Sequence, residues 1–227
     1  MTDRRSVILK PIKRIQHNVL AKLERRLLTW LCKMMPDWVT PDVLTATGVG
    51  GAATIFVAYA LSSIDSAWLW LAIAGYVIHW FGDSMDGSLA RFRRIERPGF
   101  GYFIDHSCDG LATLLILVGM GLSPYVRLDA ALLALAGYLL LCIHAFLSVR
   151  VLGELKLSYF AAGPTELRLA LIGLTSAMLI FGEKPGAFAP VSGFDVLIGS
   201  AGALLIILFG YQTLIVARRI LAVERSD

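Results

Sequence analysis

Four aspartates stand out in a chain that is otherwise strongly apolar. In GDSMDGSLARFRRIERPGFGYFIDHSCDG, residues 82–110, Asp83 and Asp86 lie three apart, and Asp105 and Asp109 lie four apart. At helical spacing each pair shares one face. Carboxylates this close repel one another unless cations sit among them, and hard divalent ions such as Mg2+ or Mn2+ are the natural partners. Two ions held about 4 Å apart by shared carboxylates suit a displacement at phosphorus. Gly87 and Ala90 follow Asp83 on its face, and Gly101 precedes Asp105. These small residues leave room beside the carboxylates for something bulky. Arg91, just beyond Ala90, offers a planar fork to a phosphate. The competing reading is an interfacial salt-bridge cluster of the acids with Arg91, Arg93, Arg94 and Arg97. That reading explains neither the glycines nor the placing of acids at membrane depth, where charge is expensive.

The elements that carry these groups are apolar helices. Of 227 residues, 57% are hydrophobic, and the mean hydropathy is +0.70, well above the share in globular domains. Runs of about 20 apolar residues mark membrane spans. Six are expected, near 42–63, 66–86, 100–123, 129–150, 165–182 and 194–217, broken at Ser62-Ser63, Ser123-Pro124, Gly163-Pro164 and the Pro185-to-Pro190 stretch. The expected fold is an all-α polytopic membrane protein with six transmembrane helices preceded by an amphipathic interfacial helix. No cleavable signal peptide is expected, since no short apolar run near the N-terminus ends in a small-residue cleavage site. With no repeat or low-complexity linker, the chain divides into a basic N-terminal segment (1–41), one membrane domain (42–217) and a short tail (218–227).

Charge sets the orientation. Of 21 basic residues only Arg127 and Lys184 fall in the loops on one side, and the other 19 flank the opposite ends of the spans. The positive-inside rule then places both termini and the loops 87–99 and 150–168 in the cytoplasm, together with the aspartates. The short basic loop between the second and third spans is expected to make them antiparallel neighbours, so that the four carboxylates converge. Ahead of the first span, Ile12, Ile15, Val19, Leu23, Leu27 and Trp30 form one stripe, with Lys13, Lys22, Arg25 and Arg26 off it. Such a helix rests in the interface on anionic lipid, packs on the protein's own cytoplasmic face, or does both. Cys32, Cys108 and Cys142 have no paired spacing and read as single buried thiols. His79 and His144 read as interhelical hydrogen-bonding groups.

Written as D-x2-D-G-x2-A-R-x9-G-x3-D-x3-D, the residues Asp83, Asp86, Gly87, Ala90, Arg91, Gly101, Asp105 and Asp109 resemble the signature of the CDP-alcohol phosphotransferase family, with all eight fixed positions filled. The resemblance implies that a CDP-linked alcohol gives its phospho-alcohol group to a second alcohol and releases CMP. It implies two divalent cations, Mg2+ or Mn2+, one held by Asp83, Asp86 and Asp105 and the other by Asp83, Asp105 and Asp109. Gly87, Ala90, Arg91 and Gly101 would line the CDP site, and Asp109 would accept the proton. TPDVLTATGVGG, at the start of the first span, is also similar to the family, so Thr45 and Gly48 would face the nucleotide. Helix capping by Thr40 and close packing at Gly48, Gly50 and Gly51 explain that stretch equally well. The implied partners are a CDP-alcohol donor, an alcohol acceptor and the lipid bilayer, with a homodimer as the assembly and no nucleic acid. The expected location is a bacterial inner membrane.

Two details bear on the substrate. FIDHSCD is similar to the sequence of the choline and ethanolamine phosphotransferases, in which the histidine, here His106, is a candidate base beside Asp109. A hydrogen bond that steadies Asp105 is the other role open to it. GPTELRL, Gly163 to Leu169, resembles a stretch of the same subgroup. Glu166 would meet a cationic headgroup and Arg168 a phosphate, or the stretch is simply a good helix start. Both favour a CDP-headgroup donor with a lipid alcohol acceptor. The alternatives are CDP-diacylglycerol with a polar acceptor, for which Arg150, Lys156 and Arg168 would form an anion pocket, and an ion-coupled carrier. Acids confined to one side of the bilayer disfavour the carrier.

Overall fold

The computed structural model describes residues 21–152, 163–182 and 191–224, and among these described residues seven helices follow one another without a sheet. They are α1 (Ala21–Met34), α2 (Pro41–Leu61), α3 (Trp68–Arg93), α4 (Pro98–Gly121), α5 (Leu128–Leu152), α6 (Pro164–Phe181) and α7 (Gly193–Glu224). Ile12, Lys13, Ile15, Val19, Lys156, Lys184 and the Pro185-to-Pro190 break lie outside the described residues. Five helices, α2 and α4 to α7, are long and apolar enough to cross a membrane, so the chain is a multi-pass membrane protein. The remaining expected span corresponds to α3. Its 26 residues give a rise of about 39 Å, but His79, Asp83, Asp86 and the arginines at its end make it less apolar than the others.

Local chemistry sets the helix starts and stops. Thr40 caps α2, accepting from the Val43 N–H at 3.3 Å, and Pro41 takes the first helical position. α3 runs seven residues past the expected end at 86. It stops at Arg94, whose backbone is left-handed at φ 58°, and the Ile95 N–H turns back to the Ala90 carbonyl. Pro98 then opens α4. At the start of α6 the Glu166 carboxylate accepts from the Gly163 N–H at 2.9 Å, which is the helix-start role weighed for it.

The tightest packing is between α2 and α3, through glycines. A Cβ on Gly51 would lie 2.5 Å from the His79 nitrogen, and one on Gly82 would lie 2.6 Å from the Gly48 Cα. Gly50, one residue away, faces open space. The main core joins Ile55 and Tyr59 of α2, Leu69 and Tyr76 of α3, Ile116 and Met120 of α4, Ala131 and Ala134 of α5 and Met178 of α6. All of these lie toward the helix ends remote from the aspartates. The expectation that α3 and α4 are close neighbours needs correction: α2 packs on both, and they have little direct contact. Glycines on both helices let α2 and α3 approach to backbone contact, while the rows of carboxylates on α3 and α4 repel.

α1 packs on the aspartate end of the bundle. Leu28 and Cys32 are buried with Leu44, Met85 and Leu89, while Leu23, Leu27, Trp30 and Met34 face outward. Both roles weighed for this helix therefore have a face to serve them. Burial pushes the Cys32 thiol above its usual range, against the lowering pull of Arg91 and Arg93. Three further anchors hold the region. Trp80 Nε1 and Thr165 Oγ1 donate to Glu24 Oε1 at 3.2 and 2.6 Å. Arg93 donates to the carbonyls of Met35, Pro36, Asp37 and Val39 at 2.6 to 3.4 Å. Cys32, Cys108 and Cys142 are free thiols. His144 lies between Ser148 on its own helix and Thr213 of α7, at 3.3 Å from each, the interhelical role expected of it.

Candidate active site

The glycine crossing sets the depth of Asp83 and Asp86. Gly48 lies so close to α3 that a Cβ there would be 3.2 Å from the Asp83 nitrogen. A small cavity of about 10 Å³ opens beside it, lined by Thr45, Gly48 and Val49 of α2, His79, Asp83 and Asp86 of α3, and Asp105 and Cys108 of α4. That volume admits a single ion or water. Asp86 is held in place. Its Oδ2 accepts from Thr45 Oγ1 at 2.6 Å, and its Oδ1 accepts from the Gly87 N–H at 2.5 Å. Asp83 Oδ2 accepts from Arg168 Nη2 of α6 at 2.5 Å. Thr45 is therefore bound to a carboxylate, its single hydroxyl proton shared between Asp86 and the Pro41 carbonyl, the latter at 3.1 Å.

A second group of donors lies along α4. Ligand atoms from Asp105, His106 and Asp109 fall within 4.8 Å of one another. His106 Nδ1 is 3.7 Å from a carboxylate oxygen of both Asp105 and Asp109. Its ring packs edge-on against Tyr102, with centroids 4.3 Å apart, and 5.4 Å from Phe146 of α5. His106 Nε2 is buried and has no hydrogen-bond partner among the described residues. The oxygen-rich set around the cavity suits a hard divalent cation, and His106 Nδ1, beside two carboxylates, offers a further ligand atom.

A wider groove of about 360 Å³ begins at the same Thr45 and runs between α2 and α4, along Asp42, Ala46, Val49, Phe100, Ile104 and Cys108. It is within the size range of small-molecule sites. A Cβ on Gly101 would meet nothing within 4 Å, and at Gly87 it would meet only the tip of Arg91. The small residues thus leave space beside the acids. Among the described residues, Arg91, Arg93 and Arg97 have partners other than the four aspartates. Arg91 leans on Ser88 Oγ at 3.3 Å, Arg93 holds backbone carbonyls, and Arg97 pairs with Asp42 and lies over the Phe100 ring.

The profile of the CDP-alcohol phosphatidyltransferase family matches residues 38–208. The chain belongs to this family. Among curated relatives it is 30% identical over 96 residues to cholinephosphotransferase 1 of Danio rerio, across 40% of this chain and 25% of that protein. It is 29% identical over 101 residues to cholinephosphotransferase 1 of Homo sapiens, across 42% of this chain and again 25% of that protein. It is 33% identical over 94 residues to archaetidylinositol phosphate synthase of Methanothermobacter thermautotrophicus, across 41% of this chain and 45% of that protein. The chain thus spans about a quarter of the length of the cholinephosphotransferases it matches.

Within this CDP-alcohol phosphatidyltransferase domain, Asp83, Asp86, Asp105 and Thr45 meet at the small cavity, Asp109 and His106 lie along α4 beside Asp105, and Gly87, Ala90 and Arg91 continue the α3 face. Sequence reasoning did not anticipate that Arg168 meets an aspartate, or that His79 lines the cavity. It gave no role to Glu24, and weighed Arg93 only as a salt-bridge partner of the aspartates, whereas Arg93 holds backbone carbonyls. Glu24 carried one available signal, as the single acid of α1.

Proposed function

We propose that this protein transfers a phospho-alcohol group from a CDP-alcohol to an alcohol acceptor, with release of CMP, in membrane phospholipid synthesis. The observation that carries the reading is the meeting of Asp83, Asp86 and Asp105 at an ion-sized cavity, within a chain that fills all eight signature positions. Asp83, Asp86 and Asp105 would hold one divalent cation, and Asp83, Asp105 and Asp109 a second, either Mg2+ or Mn2+. When bound, the cations offset the diphosphate charge and make CMP a better leaving group. Gly87, Ala90, Gly101 and Thr45 give the nucleotide room, and Arg91 offers its fork to a phosphate. Asp109 or His106 takes the acceptor's hydroxyl proton. The acceptor oxygen then bonds to phosphorus as the bond to CMP breaks, and CMP leaves with the electron pair.

A CDP-headgroup donor with a lipid alcohol acceptor is supported by Asp105-His106, by the GPTE stretch and by the similarity to cholinephosphotransferases. The similarity to an archaetidylinositol phosphate synthase, whose name carries an inositol phosphate, favours a CDP-lipid donor with a polar acceptor as the second reading. α3 is proposed as the sixth span, with α1 in the interface and the termini and aspartates on the cytoplasmic side of a bacterial inner membrane, as the basic residues imply. A homodimer is the proposed assembly. The test is CMP release by purified protein with Mg2+ or Mn2+ from CDP-choline, CDP-ethanolamine and CDP-diacylglycerol, each with matched acceptors. Release from the first two supports the headgroup reading, and release from the third alone supports the second. Release from none refutes the proposal.

A further inference from the structure

The start of α6 brings a guanidinium to the aspartate cluster. Arg168 Nη2 donates to Asp83 Oδ2 at 2.5 Å, and lies 3.5 Å from His79 Nε2. His79 Nδ1 is 3.0 Å from the Gly48 carbonyl. The arrangement calls for the Nδ1–H tautomer, with the Nε2 lone pair toward the arginine. Both contacts of the guanidinium use Nη2. Nη1 is buried and has no acceptor among the described residues, and Arg168 as a whole is only 8% exposed. A guanidinium carries five N–H donors, and burying some of them unmet is costly, so this geometry is short of an acceptor.

The charges are short of an anion as well. Four ionised aspartates balance two divalent ions, which leaves Arg168 and Arg91 as two positive charges over. A CDP-alcohol brings two negative charges on its diphosphate. The α6 backbone beneath Arg168 is fixed by Pro164 at the helix start, by the Glu166 carboxylate on the Gly163 N–H and by Thr165 on Glu24. Only the long arginine side chain needs to move.

We propose that Arg168 is a binding residue for the donor's diphosphate, paired with Asp83 before loading and giving up that carboxylate when cation and nucleotide arrive. The inference rests on the phospho-alcohol transfer reading. It predicts shifts of opposite sign, which a merely structural role would not produce. In Arg168→Gln, Mn2+ binding without nucleotide, read by electron paramagnetic resonance on protein in detergent, tightens by roughly threefold or more, because a unit charge beside a divalent ion is removed. CDP binding at saturating Mn2+ weakens on the order of 10- to 100-fold, the weight of a lost charge-assisted hydrogen bond. Arg168→Lys keeps the charge and loses the fork, so Mn2+ binding stays near wild type while CDP binding weakens several-fold. The Lys variant decides the matter if the Gln variant does not fold. Weaker Mn2+ binding in Arg168→Gln, unchanged CDP binding in either variant, or a loss confined to half-saturation by the acceptor overturns the inference. Wild-type protein that releases CMP from no CDP-alcohol refutes the transfer reading instead.

Discussion

Gly51 and Gly50 are adjacent on α2, and substituting each by alanine should have opposite effects. At Gly51 the new Cβ would lie 2.5 Å from the His79 nitrogen, 2.8 Å from its Cα and 3.0 Å from the Gly75 carbonyl oxygen. All three atoms are backbone, so no side chain can swing aside. Ordinary contact begins at about 3.5 Å, so α2 and α3 must part by about 1 Å. Overpacking of this kind costs about 1–3 kcal/mol. The site is affected more than the stability, because the displaced segment carries His79 and, one turn on, Asp83. A misplacement of about 1 Å can lower turnover about 10²-fold. At Gly50 nothing lies within 4 Å, and alanine is the better helix former by up to about 1 kcal/mol, so Gly50→Ala should be neutral or stabilising. Thermal unfolding in detergent, followed by the loss of the monodisperse chromatographic peak, measures the first effect, and CMP release measures the second. A Gly51→Ala protein that melts with wild type and turns over within a factor of two would refute the packing argument. Loss of both properties in Gly50→Ala would refute it as well.

Asp105→Asn should abolish CMP release at saturating Mg2+ or Mn2+, since this carboxylate lines the cavity and also belongs to the donor group on α4; near-normal release would defeat a two-cation site. His106→Ala should cut turnover by about 10²- to 10⁴-fold if the imidazole is the base, with CDP binding retained. Retention of more than about a third of turnover would leave Asp109 as the base. Native mass spectrometry from mild detergent should return twice the 24.8 kDa chain mass, and a monomer alone would count against the dimer.

The apolar runs made α2, α4, α5 and α6, and the start of α7, legible to within a few residues, because lipid-scale hydropathy dominates every other signal there. At α3 and α7 the runs end before the helices do. Asp83, Asp86 and the arginines interrupt the hydropathy of α3 while remaining good enough helix residues to continue it to Arg93. The four aspartates, with the glycines and alanine around them, were legible from spacing alone. Which helix packs closely on both members of the acid-bearing pair was not, because a short loop fixes succession along the chain and says nothing of the glycine contacts that draw α2 against α3. The Arg168–Asp83 pair spans 85 residues of sequence, and no local pattern encodes it. The apolar stripe of α1 was legible in part. Leu23, Leu27 and Trp30 do share a face, but it is the outward one, and the protein-facing side is set by Leu28 and Cys32.

Arg93 has a consequence for height. Its guanidinium ties four carbonyls of the elbow between α1 and α2 to the end of the helix that carries Asp83 and Asp86. Glu24 adds a strut from α1 to Trp80 and to Thr165, three residues ahead of Arg168. If α1 floats at the water line as proposed, these ties act as a draught mark, fixing how far below the surface the carboxylates ride. A nucleotide arriving from water and a hydroxyl arriving along the acyl boundary would then meet at a level set by the protein's own keel rather than by the thickness of the bilayer around it.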